Sequence, residues 1–309
     1  MRRVAAIDCG TNSIRLLVTD LGPDGSAHDL VRDMRIVRLG EGVDRTGRLD
    51  PAAIERTVTA TREYALTIGE MGVDAIRFCA TSAARDADNA DEFRSAIHAV
   101  LGQDPEILTG DAEARASFLG ATSELGPEDA LVVDIGGGST ELVRGAGGEV
   151  GSAVSFDIGS VRLTERFLAS DPPSIPEITD LVDHLDALLA PAVAGWEPVT
   201  RFIGVAGTVT TVAAHALQLT TYDSERIHGA RLPVDVIREA CISLVQMPVV
   251  DRRHLPFMHP GRADVIGAGA LILDRLLELA PLATDEVVVS ERDILDGIAR
   301  SLVEAPTSD

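Results

Sequence analysis

The 309 residues exceed one comfortable hydrophobic core and suit two α/β domains of ordinary size. The net charge is −22, and all 27 basic residues are Arg, which argues against a general binder of nucleic acid or of an anionic membrane. With no Lys in the chain, a Walker P-loop and a Lys Schiff base are both excluded, so any phosphate clamp must be built from Arg, whose planar fork binds oxyanions bidentately.

The apolar run Val4-Ala5-Ala6-Ile7 reads as a strand and ends in Asp8-Cys9-Gly10-Thr11-Asn12-Ser13, after which Ile14-Arg15-Leu16-Leu17-Val18 reads as a second strand. A third strand is expected over 29–39, and the Asp50-Pro51 start signal opens a helix running to about Gly69. Ala75-Ile76-Arg77-Phe78-Cys79 is a short buried strand ending at Ala80-Thr81-Ser82-Ala83-Ala84-Arg85. A helix over 91–101, a strand over 106–108 and a helix from Gly110 to about Leu125 complete the first half. Gly126-Pro127 breaks the chain, and a second hairpin follows: Leu131-Val132-Val133, then Asp134-Ile135-Gly136-Gly137-Gly138-Ser139-Thr140-Glu141, then Leu142-Val143. The alternation of sheet and helix is expected to repeat, with no element read between 147 and 200. Strands are expected at 201–205 and 286–289 and helices at 233–247, 263–279 and 293–303, with 248–260 irregular.

The two Gly-containing turns are one device written twice. Gly permits positive φ, so successive N–H groups can converge on an anion, and the Ser and Thr hydroxyls add donors. The leading carboxylate only accepts, so beside phosphate it implies a bridging metal or water. Such a pair predicts duplicated halves around one phosphate-rich ligand, divided near Gly126 with a cleft between them.

Glu113 falls in the first turn of its helix, where an acidic residue complements the helix dipole and needs no other reason to be present. With Asp134 and Glu141 nearby, it would instead serve as a general base for water. Arg85 and Arg15 read either as solvated residues or as clamps on a polyphosphate. Gly207 and Thr208, in a Gly-rich strand-to-helix turn, hold a phosphate at a helix N-terminus or merely form a tight crossover. His228 and Arg262 sit in loops. Cys9 reads as a packed residue, and Cys9, Cys79 and Cys241 are too widely spaced for a disulfide scaffold or a zinc site. Ser290-Glu291-Arg292-Asp293 reads as a polar helix entry. No apolar stretch reaches membrane-spanning length and Met1-Arg2-Arg3 leads straight into a strand, so a cytoplasmic location is expected.

The segments Asp8-x-Gly-Thr-Asn-Ser-x-Arg15, Ala80 to Arg85, Gly110-x-x-Glu113-Ala114-Arg115 and Asp134 to Glu141 occur in the order of the exopolyphosphatase and guanosine-pentaphosphate phosphohydrolase (Ppx/GppA) family. Gly204-Val205-Ala206-Gly207-Thr208 and His228-Gly229-Ala230-Arg231-Leu232 extend the resemblance over essentially the whole chain. It implies an actin-like (ribonuclease H-like) duplicated α/β fold with domains 1–125 and 126–309 around an interdomain cleft, the last helix (about 293–305) packing back on the first domain. It also implies hydrolysis of terminal phosphoanhydrides with Mg²⁺ (or Mn²⁺) as cofactor. Glu113 would be the base, with Asp134, Glu141 and Asp8 on the metal and Arg85 on the phosphate chain. Gly10, Thr11, Asn12, Ser13, Arg15, Gly136, Gly137, Gly138, Ser139, Thr140, Gly207 and Thr208 would line the phosphates. Long members carry an extra C-terminal helical domain that has no counterpart before Asp309, which favours short inorganic polyphosphate as substrate. Guanosine pentaphosphate (a (p)ppGpp-type substrate), an ATP-dependent kinase reaction and a non-catalytic binding role stay open as alternatives, as does pairing into a homodimer.

Overall fold

The computed structural model describes residues 1–124 and 128–304, so the expected break at Gly126-Pro127 lies outside the described residues. The chain forms two units, one of Met1–Gly120 with Asp293–Asp309 and one of Ala121–Arg292. It therefore passes from one to the other at Gly120/Ala121 and returns at Arg292/Asp293; the expectation was a division at 125/126 with the last helix, about 293–305, packing back on the first domain.

Unit 1 begins with β1 (Arg2–Cys9), β2 (Ser13–Leu21) and β3 (Ala27–Ile36), an antiparallel meander. After the single turn α1 (Val43–Thr46), α2 (Pro51–Met71) starts where the Asp50 carboxylate accepts from the N–H groups of Ala52 and Ala53 at 2.7 and 3.3 Å, ahead of a Pro at the first helical position. The short β4 (Ala75–Ala80) pairs parallel with β1 and leads through the turn α3 (Ser82–Arg85) to α4 (Ala90–Leu101). Then β5 (Glu106–Ile107) closes the sheet order β3-β2-β1-β4-β5, and α5 (Gly110–Thr122) follows.

Unit 2 repeats the plan. The meander β6 (Ala130–Ile135), β7 (Thr140–Ala146) and β8 (Glu149–Phe156) is followed by α6 (Ser160–Phe167) and α7 (Ile175–Val193). Next come β9 (Phe202–Val205), parallel to β6, then α8 (Ala206–Ala216), α9 (Ser224–Ile227), β10 (Arg231–Pro233), α10 (Val234–Gln246), the short α11 (Val249–Arg252) and α12 (Ile266–Leu279). Finally β11 (Glu286–Val289) pairs parallel with β9. Read from β8, the sheet order is β8-β7-β6-β9-β11-β10, which reproduces the order of unit 1 strand for strand and adds β10 at the far edge. This is the duplicated actin-like arrangement. The segment 248–260, expected to be irregular, contains α11, and β8, α6 and α7 fill the stretch from 147 to 200 in which no element was read.

The last helix, α13 (Ile294–Glu304), belongs to unit 1. Alternation along β1 and β2 explains why. Ala5, Ile7, Cys9, Ile14, Leu16 and Val18 face the core shared with α2 and α4. Val4, Ala6, Leu17 and Leu21 face the other side, where Ile294, Leu295, Ile298 and Ala299 of α13 cover them. Asp8 and Arg15 keep step with that second set, so both lie on the α13 face of the sheet. In unit 2, Leu131, Val133, Ile135 and Leu142 face the main helical core, and Asp134 and Glu141 lie on the opposite face.

Candidate active site

The first turn closes with Gly10 N–H donating to Ser13 O at 2.9 Å, and the second closes in the same way, from Gly136 N–H to Ser139 O at 3.0 Å. Each turn is backed by the chain that leaves its third strand. In unit 1, Thr11 O accepts from Gly40 N–H, and Asn12 O accepts from Val37 and Arg38 N–H. In unit 2, Gly136 O accepts from Ser160 N–H and Gly137 O from Val161 and Arg162 N–H, while Arg162 Nε donates to Gly138 O at 2.8 Å. The turn carbonyls are thus used from behind. Contrary to expectation, Gly10, Gly136, Gly137 and Gly138 do not adopt positive φ, so neither turn is the left-handed nest the sequence suggested; the N–H groups of Gly137 and Gly138 still bond to no backbone carbonyl among the described residues. Gly159 must be Gly for this backing to fit, because a Cβ there would sit 2.5 Å from the Gly137 backbone.

The hydroxyls are largely committed to holding the turns. Thr11 Oγ1 and Ser82 Oγ share a buried hydrogen bond of 2.9 Å, and Thr140 Oγ1 donates to Ile158 O at 2.8 Å. Ser139 is buried, and Asn12 and Ser13 are half-buried at the tip of the first hairpin. Thr208 and Gly207 lie in the first turn of α8, which begins at Ala206 with φ 65°. A non-Gly residue in the left-handed region is strained and persists where surroundings enforce it. A Cβ at Gly207 would fall within 2.9 Å of the guanidinium of Arg262, whose Nη1 donates to Thr211 Oγ1 at 2.8 Å. Arg262 therefore already lies against the helix start at which a phosphate was one of two expectations.

Glu113 is set by the start of α5. Thr109 Oγ1 accepts from Ala112 N–H, Thr109 O accepts from Glu113 N–H, and Glu113 is 7% exposed. Arg85 Nη1 bridges Glu113 Oε2 at 2.9 Å and Leu108 O at 3.0 Å. The two residues, 28 apart in the chain, thus form one fixed pair within unit 1.

Asp8 and Arg15 are direct partners in the β1–β2 register, as Asp134 and Glu141 are in β6–β7. Arg15 Nε and Nη2 both donate to Asp8 Oδ2, at 3.0 and 2.6 Å, and Nη1 pairs with Asp293. Burial pushes the Asp8 carboxyl above its ordinary range, and Asp293 adds to this, more than Arg15 pulls it down. Burial opposes the charge on Arg15, but the two carboxylates outweigh it and hold the guanidinium still more firmly protonated. Arg15, expected on phosphate, is engaged by carboxylates. Glu141 Oε1 accepts from Ser155 Oγ at 2.8 Å, a residue of β8 that sequence reading passed over together with its strand. Asp293 and Arg162 were missed as well. Asp293 resembles an ordinary helix start locally, and an Arg one turn into α6 carries no mark of the carbonyl it holds.

For a metal, the chemistry of the donors fits. Asp8 Oδ1 is buried with no hydrogen-bond partner, and an ionised carboxylate oxygen can only accept. Among the described residues no three His, Cys, Asp or Glu side chains gather into a ready-made cage. Mg²⁺ does not require one, since it keeps several waters and takes one or two carboxylates together with substrate phosphates.

Two topologically equivalent α/β units, each joining its first two strands through a backed turn led by Asp, place the chain in the actin-like class. The model of the Ppx/GppA phosphatase family matches residues 19–305. Exopolyphosphatase 2 of Mycobacterium tuberculosis is 48% identical over 316 aligned residues, covering 98% of this chain and 99% of its own. The crystal structure of an exopolyphosphatase-like protein superposes with a TM-score of 0.92 at 42% identity, over 98% of this chain and 99% of that one. The Aquifex aeolicus member of the Ppx/GppA family gives 0.83 at 34% identity, over 99% of each chain. The chain belongs to the Ppx/GppA phosphatase family and is a hydrolase of the phosphoanhydride class.

Proposed function

We infer that the protein releases orthophosphate from the end of short inorganic polyphosphates, with Glu113 as the general base. The observation that carries this reading is the Arg85–Glu113 pair. A buried carboxylate at a helix start is held through one oxygen by an Arg that is itself anchored on Leu108 O. Such a group is fixed in orientation, and it can take a proton from water as the water oxygen attacks the terminal phosphorus. The bond from that phosphorus to the bridging oxygen breaks, and the shortened chain leaves with the electron pair. Phosphoryl transfer of this kind is mainly positioning and electrostatics, so no covalent intermediate is required.

Turn N–H groups, those of Gly137 and Gly138 among them, would supply donors to phosphate oxygens, and Arg85 adds positive charge. Asp8, Asp134 and Glu141 are the residues that would hold Mg²⁺, which when bound neutralises developing phosphate charge. Support for a polyphosphate substrate comes from the named relatives, two of which are called exopolyphosphatase or exopolyphosphatase-like. The acidic chain repels a polyanion at a distance, so turnover should depend on divalent cation and on salt.

Phosphate release from tripolyphosphate, long polyphosphate, guanosine pentaphosphate and ATP, each with Mg²⁺, tests the reading. The fastest turnover is expected on tripolyphosphate. A clear preference for guanosine pentaphosphate would replace the substrate, and ADP formation dependent on an added acceptor would replace the reaction.

A further inference from the structure

Asp293 opens α13, and its Oδ1 does the ordinary work of a helix start by accepting from Leu295 N–H at 3.0 Å. Its Oδ2 does something else, pairing with Nη1 of Arg15 across 278 residues of sequence. On its other edge, Nε and Nη2 both donate to one oxygen of Asp8, Oδ2. Asp293 is 3% exposed and Asp8 5%, and Asp8 Oδ1 is left buried without a partner.

This is not how a guanidinium usually meets a carboxylate. The planar fork prefers two parallel bonds, one to each oxygen. Here Nε and Nη2 both meet Oδ2, while Nη1 is taken by Asp293. We propose that Asp293 is a positioning residue that holds Arg15 on Asp8 Oδ2 alone and so reserves Asp8 Oδ1 for a divalent cation. The inference rests on the reading of Asp8 as a metal ligand. The mount is rigid: Asp296 accepts from Asp293 N–H at 3.1 Å and pairs with Arg32 of β3, and the apolar side of α13 is packed on β1 and β2.

Mn²⁺ can stand in for Mg²⁺, with its binding to the full, substrate-free chain followed by electron paramagnetic resonance. Asp293→Asn is expected to weaken binding about tenfold, the lower end of what loss of a supporting partner costs a metal site. In an Arg15→Gln background the same substitution should cost little, because no fork remains to capture Oδ1. Equal losses in the two backgrounds would mean that Asp293 acts only through its charge, and would overturn the proposal, as would wild-type affinity in Asp293→Asn. Asp293→Glu keeps the ion pair and is expected to bind within about threefold of wild type; a tenfold loss there counts against the proposal even if the Asn variant does not fold. Asp8→Asn separates the two levels. Unchanged Mn²⁺ affinity in that variant removes Asp8 as a ligand, and the proposal falls with it. Lost affinity there, with full affinity in Asp293→Asn, removes the positioning role alone.

Discussion

Arg15 stands directly opposite Asp8 in the β1–β2 ladder and closes on a single oxygen of its carboxylate. At the matching rung of unit 2, Glu141 stands opposite Asp134. One duplicated scaffold therefore carries an opposite-charge pair in one unit and two carboxylates in the other. Like charges at one rung repel and are relieved by a cation, so the two copies share a backbone and differ in the chemistry it presents.

Glu113→Gln keeps the volume of the side chain and a contact to Arg85 while removing the proton acceptor. Loss of a general base typically costs about 10²–10⁴-fold, and kcat should fall by that order with the circular dichroism spectrum unchanged. Near-wild-type kcat would take the role away from Glu113.

Gly159 has an extended backbone, φ −163°, that any residue adopts, so only the neighbour decides what Ala does there. A Cβ at this position meets Gly137 at 2.5 Å, whereas one at Gly151 meets Arg144 O at an ordinary 3.5 Å. Gly159→Ala should displace the second turn and raise KM for polyphosphate, and Gly151→Ala should not. Steady-state kinetics on both variants decides it.

Gly120 of α5 lies against the backbone of Asp293, and Gly297 of α13 lies against that of Ala116. A side chain at either point would push α13 off its seat. Gly120→Ala is expected to destabilise by about 1–3 kcal/mol, the usual cost of overpacking. Gly69, on the exposed side of α2, has nothing within 4 Å of a Cβ, so Gly69→Ala should stabilise by about 0.5–1 kcal/mol. Urea denaturation of the pair should move in opposite directions.

Glu177 closes a capping box with Ser174 at the start of α7, and the bonds from the Ser174 and Ser170 N–H groups and the Ser174 hydroxyl hold its carboxyl down at about 2. A carboxyl lowered in the folded state adds stability above its unfolded value and loses it as pH falls towards the folded one. Glu177→Gln should therefore lower the urea midpoint at pH 7, and the gap from wild type should narrow as pH drops below the ordinary carboxylate value of 4.5. A gap independent of pH would assign the effect to shape.

Several parts of this architecture are legible in the sequence. The first hairpin shows because the apolar runs Val4 to Ile7 and Ile14 to Val18 bracket a short turn of Gly and polar residues, the composition of a hairpin tip, and the second shows for the same reason. The start of α2 shows because Asp50-Pro51 is a cap with a chemical cause. By contrast β8, with Gly151, Ser152 and Ser155 along an edge, has no apolar alternation strong enough to read. The start of α7 was available in Ser174-x-x-Glu177 and went unused.

What the sequence by itself determined is local: the two Asp-led turns, the type of most elements, and the dependence on Arg in a chain without Lys. Those properties follow from φ preferences, side-chain periodicity and donor chemistry, all of which act within a few residues. The resemblance carried the expectation that the last helix packs back on the first domain; only the tertiary structure decided which face of β1 and β2 it covers, that Asp293 meets Arg15, and that Arg162 and Ser155 steady the second hairpin. Such pairings depend on strand register and on which face of a sheet a distant helix covers, and neither is encoded in the neighbourhood of the residues that meet.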